Sequence, residues 1–182
     1  QNLCANISIN SITNCFCYES ALSEKKNEQF YYPILNYGRE YNFGGMSLSS
    51  ESNESFQPAK IDTLDNIFAN LQSLKILKID SEGMEANVIK GGFNLIKRTN
   101  PVIYFENDRI DKSQELIELL WSLGYRLSWH IVPMYNKNNF FENENNIFEC
   151  MYSFNMIGIK KDCEINIDLP EVKDSSEHPL GR

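Results

Sequence analysis

Apolar and polar positions alternate between two periods along this chain. Residues 2–9 carry Leu3 and Ile7 four apart, which predicts the end of a helix, and Asn10-Ser11 then breaks it. Residues 13–21 alternate, with Phe16 and Tyr18 set against Cys15 and Cys17, as a strand would. Residues 23–60 lose all periodicity, and Pro33, Gly38 and Gly44-Gly45 punctuate them. Loops this long are either functional or disordered. Helical spacing resumes at Ile61, Leu64, Ile67, Phe68 and Leu71, with Asp62 or Thr63 as N-cap.

Downstream of that point strands and helices alternate. Residues 75–80 read as a buried strand and 83–97 as one helix with Val88, Ile89, Phe93 and Ile96 on its apolar stripe. A strand at 102–107 follows, then a helix at 112–123 built on Leu116, Leu119, Leu120 and Leu123. Asp111 is its expected N-cap, Gln114 has capping-box spacing, and Gly124 can stop it. Residues 125–132 alternate again, 133–150 are Asn-rich and irregular, and 152–160 form a last strand. The acidic, Ser-rich tail at 168–182 is expected to be flexible and frayed. Such an order predicts an α/β fold with a mostly parallel sheet, a single domain over 1–167, and an antiparallel hairpin from the last two strands. No internal repeat is visible.

Composition narrows the function classes. With 182 residues, of which 42% are hydrophobic, the chain can bury a core. A net charge of -8 argues against a nucleic-acid surface, which needs a basic patch. No apolar run approaches the roughly 18 residues that span a bilayer, and no secretory segment is seen, so no membrane partner is expected. The five cysteines at 4, 15, 17, 150 and 163 have no metal-ligand spacing and are expected to be buried reduced thiols, which fits a cytoplasmic protein.

Chemistry concentrates where strands end. The stretch Lys78-Ile79-Asp80-Ser81-Glu82-Gly83-Met84-Glu85 runs a strand straight into three carboxylates, and Glu106 ends the next strand. Ligands of open α/β sheets sit at such carboxyl ends. Asp80, Glu82 and Glu106 are therefore candidate catalytic groups. Asp80 could equally cap the following helix, while Glu82 and Glu85 also answer its dipole. Clustered oxygens would suit Mg²⁺, but the spacing is not diagnostic and no metal is assigned. His130, near the end of its strand, lies on the same rim and is a candidate base. The loops that leave these strand ends mix amides with aromatics. Asn42, Phe43, Tyr135 and Asn139 are the candidates for binding a sugar or other polyhydroxylated acceptor.

Four pieces in order resemble the FkbM-type methyltransferases: Ile61-Asp62-Thr63-Leu64-Asp65, then Lys78 to Glu85, then Val88-Ile89-Lys90-Gly91-Gly92, then Pro101 to Glu106. The start, Leu3-Cys4-Ala5-Asn6 with Asn10, also resembles that family's helix after its second strand. The resemblance covers roughly residues 1–160. It implies a Rossmann-like class I methyltransferase sheet whose last strand is antiparallel, with S-adenosylmethionine as cofactor. It places Ser20, Ala21 and Asp80 at the cofactor and makes the acceptor a hydroxyl of a carbohydrate or small molecule. Such enzymes hold the cofactor on a Gly-rich turn after strand one and an acidic residue ending strand two. Neither occurs here, and Gly44-Gly45 lacks the strand-turn-helix context to replace them. An N-terminally truncated, inactive fragment is therefore expected. The alternatives are a catalytically silent Rossmann-like module, possibly glycan-binding, and a glycosyltransferase, for which no Asp-x-Asp motif is visible.

Overall fold

The computed structural model describes residues 2–40 and 42–181. Its main sheet has four strands: β5 (Ile76–Ile79), β6 (Val102–Glu106), β7 (Tyr125–Pro133) and β8 (Tyr152–Lys160). They lie in the order β5-β6-β8-β7. β5 and β6 are parallel, whereas β8 runs antiparallel to both β6 and β7. The sheet is therefore mixed: β5, β6 and β7 share one direction and only the last strand, β8, runs against them, as the sequence suggested. The expected hairpin of the last two strands is present, but β8 is its inner strand and β7 the outer one.

Alternation sorts this sheet into two faces. Ile79, Ile103, Phe105, Leu127 and Met156 point to one side and form the core with Val88, Ile89, Leu95, Ile96, Leu116, Ile117 and Leu120. Those partners come from α3 (Glu85–Gly91), α4 (Phe93–Thr99) and α5 (Ile110–Ser122). Pairing of Ile76 with Val102 and Lys78 with Tyr104 places the alternate residues on the other face. That face continues through Glu106 opposite Asn155, and Asn155 opposite His130.

Several sequence expectations change here. Residues 12–20 are not a strand. Only β1 (Ala21–Leu22) forms, in parallel with β4 (Ile61–Asp62), and residues 12–20 find no ladder partner among the described residues. The Cys15-Phe16-Cys17 alternation therefore has nothing to pack against. Cys4, Cys15, Cys17 and Cys150 are exposed and Cys163 is half-buried, so the buried-thiol reading fails. The predicted helix at 61–71 shrinks to α2 (Leu64–Ile67), since Ile61 and Asp62 are drawn into β4. Its Thr63 N-cap holds, with Oγ1 accepting from Asn66 N–H at 3.1 Å. Residues 83–97 divide into α3 and α4 at Gly92, and Phe93 turns outward. Asp111 lies inside the first turn of α5 and does not cap it, and Gln114 bonds Glu118 instead of closing a capping box. Gly124 does stop that helix, at φ 80°. The long 23–60 segment folds partly into a small hairpin of β2 (Tyr31–Pro33) and β3 (Phe56–Pro58). A helix α1 (Asn2–Ile9) precedes it all and buries none of its residues.

The tail is not frayed. Residues 170–172 lie along the outer edge of β7, where Trp129 N–H donates to Pro170 O at 3.0 Å and Val172 N–H to Leu127 O at 2.9 Å. Val172 and His178 are both buried. No helix among the described residues is long and apolar enough to cross a membrane.

Candidate functional site

Two contacts fix the elements that flank β1. The first is Gly91 in α3, where an added Cβ would stand 2.0 Å from Ser23 O. Only glycine lets the chain after β1 lie that close to the helix. The second is Asp65, whose carboxylate accepts from Asn94 N–H at 3.0 Å and Leu95 N–H at 2.7 Å. It caps α4 from across the fold and satisfies two of the N–H groups a helix start leaves open. Between β1 and β5 lies a cleft of about 410 Å³, within the range of small-molecule sites. Ser20, Ala21 and Leu22 form one wall, and Leu77, Ile79, Met84 and Val88 the apolar floor. Asp80, Ser81 and Glu82 form the acidic end, and Met46 and Leu48 close over it from the long loop.

The Asp80–Glu85 turn is held from several sides. Glu85 is buried, and its Oε1 accepts from Ser81 N–H at 2.9 Å, Ser81 Oγ at 3.0 Å and Gly83 N–H at 3.3 Å. Its work is structural. Lys112 Nζ donates to Gly83 O at 2.7 Å and Ser47 Oγ to Glu82 O at 3.1 Å. Glu82 itself sits at φ 52°, a left-handed conformation that costs a non-glycine residue about 1 kcal/mol or more. Such strain persists only where neighbours over-determine it.

Asp80, Glu82 and Glu106 each bring an oxygen within 4.8 Å of the others. Asp80 pairs with Lys78 at 2.6 Å and Glu82 with Arg109 at 3.2 Å. A hard cation would find three oxygens here, but two of their charges already have protein partners. Glu106 has no cation against it among the described residues. Burial, then the charges of Asp108, Asp80, Glu82 and Glu85, push its carboxyl up to about 7. A carboxylate titrating near neutrality can take or give a proton under ordinary conditions.

The remaining candidates fall around this core unevenly. Ser20 and Ala21 line the cleft, although Ser20 Oγ already donates to Lys60 O at 3.1 Å. His130 shares the sheet face of Glu106 but stands two strands away, roughly 10 Å by strand spacing. Its Nδ1 lies 3.0 Å from the Tyr104 hydroxyl. Asn42 Oδ1 accepts from Gly44 and Gly45 N–H, and Phe43 stacks on Tyr37. Both shape the loop, while its neighbours Gly44 and Met46 reach the cleft. Tyr135 and Asn139 line a separate depression with Lys137 and Glu144. Both donate to Asn143 O, so their polar groups tie the loop to itself.

Lys78 and Arg109 were not singled out in the sequence. Lys78 was legible, since it precedes Asp80 by two on one strand and must share its face. Tyr104 was legible for the same reason, two before Glu106. Arg109 carried no such signal, because its partner lies across a parallel crossover.

Searches of the curated proteins and of the solved structures each return no match. The model of the methyltransferase FkbM domain matches residues 6–127, which include β1, the Asp80 turn, Gly91, Glu106 and α5. The acidic strand ends and the glycine-tight packing around the cleft thus lie within the matched stretch, and the chain belongs to the FkbM methyltransferase domain family.

Proposed function

We propose that this protein is an S-adenosylmethionine-dependent O-methyltransferase with a Rossmann-like sheet, acting on a hydroxyl of a carbohydrate or small molecule. The observation that carries the reading is the cleft between β1 and β5, acidic at one end and bordered by a carboxyl raised to about 7. The cleft's chemistry fits such a cofactor. Leu22, Leu77, Met84 and Val88 offer apolar surface to a flat base, and Asp80 and Glu82 offer negative charge to a cation. Ser20, Ala21 and Asp80 would hold it. When bound, the cofactor supplies an electrophilic methyl group on a positively charged sulfur.

The chain's own part is to bind, orient and move a proton. Glu106, ionised above about pH 7, would accept the proton of the acceptor hydroxyl and so ready that hydroxyl's oxygen as the nucleophile. The charges of Asp80 and Glu82, paired with Lys78 and Arg109, help to raise the Glu106 carboxyl and make its carboxylate a stronger base. His130, held by Tyr104, lies further along the same face and serves the acceptor side. The acidic surface and unbridged cysteines fit a cytoplasmic protein without nucleic-acid partners.

The test combines calorimetry with S-adenosylmethionine and transfer of a labelled methyl group to a panel of sugars. The folded protein is used in its full gene-encoded length. Binding and transfer are expected, with transfer reduced in Asp80→Asn. Full turnover in that variant would remove Asp80 from the mechanism, and no heat with the cofactor would sink the whole reading. A second reading, a silent glycan-binding module, draws on Phe140 and Phe141, whose rings stand almost fully exposed beside the Asn-rich loop. Heat from a glycan without any from the cofactor would favour it.

A further inference from the structure

The position of Glu106 depends on the residue after it. Asn107 is 3% exposed, and its groups are engaged on several sides. Its N–H donates to Phe154 O at 2.8 Å, and its Nδ2 to Ser113 Oγ at 2.8 Å. Its carbonyl oxygen meets Nε2 of His178 at 2.9 Å, across 71 residues of sequence.

The ring of His178 is fixed by what surrounds it. A carbonyl can only accept, so Nε2 carries the hydrogen. Leu180 N–H can only donate, and it lies 3.1 Å from Nδ1, so Nδ1 presents its lone pair. The bonds select one neutral tautomer. The side chain is 6% exposed and sits edge-on to Trp129, with ring centroids 5.0 Å apart, and tilted against Phe154. The segment that carries it is anchored along β7 by the Pro170 and Val172 bonds, and by Ser175 Oγ donating to Glu118 at 2.9 Å. All of it lies beyond the stretch matched to the family, which ends at residue 127.

We infer that His178 is a positioning residue for Glu106: carried by the C-terminal segment, its imidazole fixes the end of β6 through the Asn107 carbonyl and thereby sets where the Glu106 carboxyl stands against Asp80 and Glu82. The inference rests on the proposed function only for the role given to Glu106. Its structural basis is independent of that role. Without the ring, a buried carbonyl loses its partner, and the strand end must shift to find water. The Glu106 side chain, one residue away, moves with it.

The test reads the Glu106 carboxyl by ¹³C NMR titration in the full chain. The wild-type midpoint is expected near 7 and should fall toward the ordinary 4.5 in His178→Ala. His178→Gln keeps a donor for the Asn107 carbonyl and should restore the wild-type midpoint. Val172→Ser loosens the segment without touching the ring. It should move the midpoint the same way by less, and it replaces His178→Ala if that variant does not fold. In a transfer assay, kcat should fall about tenfold with KM unchanged, as expected of a misplaced base. An unmoved midpoint in the alanine variant, or in Val172→Ser where it stands in, overturns the inference. So does a glutamine variant that behaves like alanine. The titration needs neither cofactor nor acceptor. Absence of methyl transfer would therefore sink the proposed function and leave this result standing.

Discussion

Lys78 and Arg109 set two carboxylates of the cluster apart from the third. Both pair with an acid at hydrogen-bonding distance, whereas Glu106 has no ion pair among the described residues and is raised by burial and by the charges of Asp108, Asp80, Glu82 and Glu85. The consequence for stability has a definite sign. Glu106 titrates near 7 in the fold against an ordinary 4.5, so the folded state holds the proton more tightly. Its contribution is fully favourable below pH 4.5 and is lost as pH rises through 7. Glu106→Gln removes that loss. The variant should melt higher than wild type at pH 8, match it near pH 4, and lose transfer about 10²-fold or more if Glu106 is the base. Melting curves at the two pH values check the first part, and label transfer the second. The sequence showed the carboxylates but not their ranking. Asp80 looked foremost because it ends the strand and opens the motif. The ranking follows from partners, and Arg109 reaches Glu82 only once β5 and β6 lie side by side.

Elements were most legible where a strong period met a real partner. β8 follows its expected limits, and α5 keeps its leucine face. Residues 13–21 had the period of a strand, yet only Ala21 among them finds a ladder partner, and pattern alone cannot supply one. The split of α3 from α4 was written in Gly91-Gly92, yet a run with Val88, Ile89 and Ile96 reads as one helix when spacing is the only guide. Gly91 matters because of what lies opposite. A methyl group at that position would meet the backbone oxygen of Ser23, which is itself fully buried and follows the cleft wall. Backbone cannot rotate aside as a side chain can. Gly91→Ala should therefore cost about 1–3 kcal/mol or more, despite alanine's better helix propensity. It should also push β1 away from Val88 and weaken whatever the cleft binds. Urea denaturation and ligand calorimetry on the same variant would show both effects. An unchanged midpoint would mean that the helix and β1 do not meet as described.

At the scale of the whole molecule, the C-terminal segment completes the sheet. β7 is its outermost long strand, and without residues 170–172 the N–H of Trp129 and the carbonyl of Leu127 would face solvent unpaired. An open edge of that kind invites pairing with another chain. The acidic, Ser-rich composition suggested a frayed end because it has few apolar residues. Docking needs only two well-placed side chains, the apolar Val172 and the hydrogen-bonded His178, together with backbone bonds along β7. Removing residues 168–182 should therefore do two things. Trp129, which packs edge-on against His178, should become wetter, with its fluorescence shifted to the red. The exposed β7 edge should also promote association, seen as a larger sedimentation coefficient that grows with concentration. Val172→Pro separates the two effects. Its missing N–H breaks the bond to Leu127 O while leaving the tail attached as a steric cover. Association in the deletion but not in the proline variant would assign the segment's protective role to coverage. Association in both would assign it to the backbone ladder along β7.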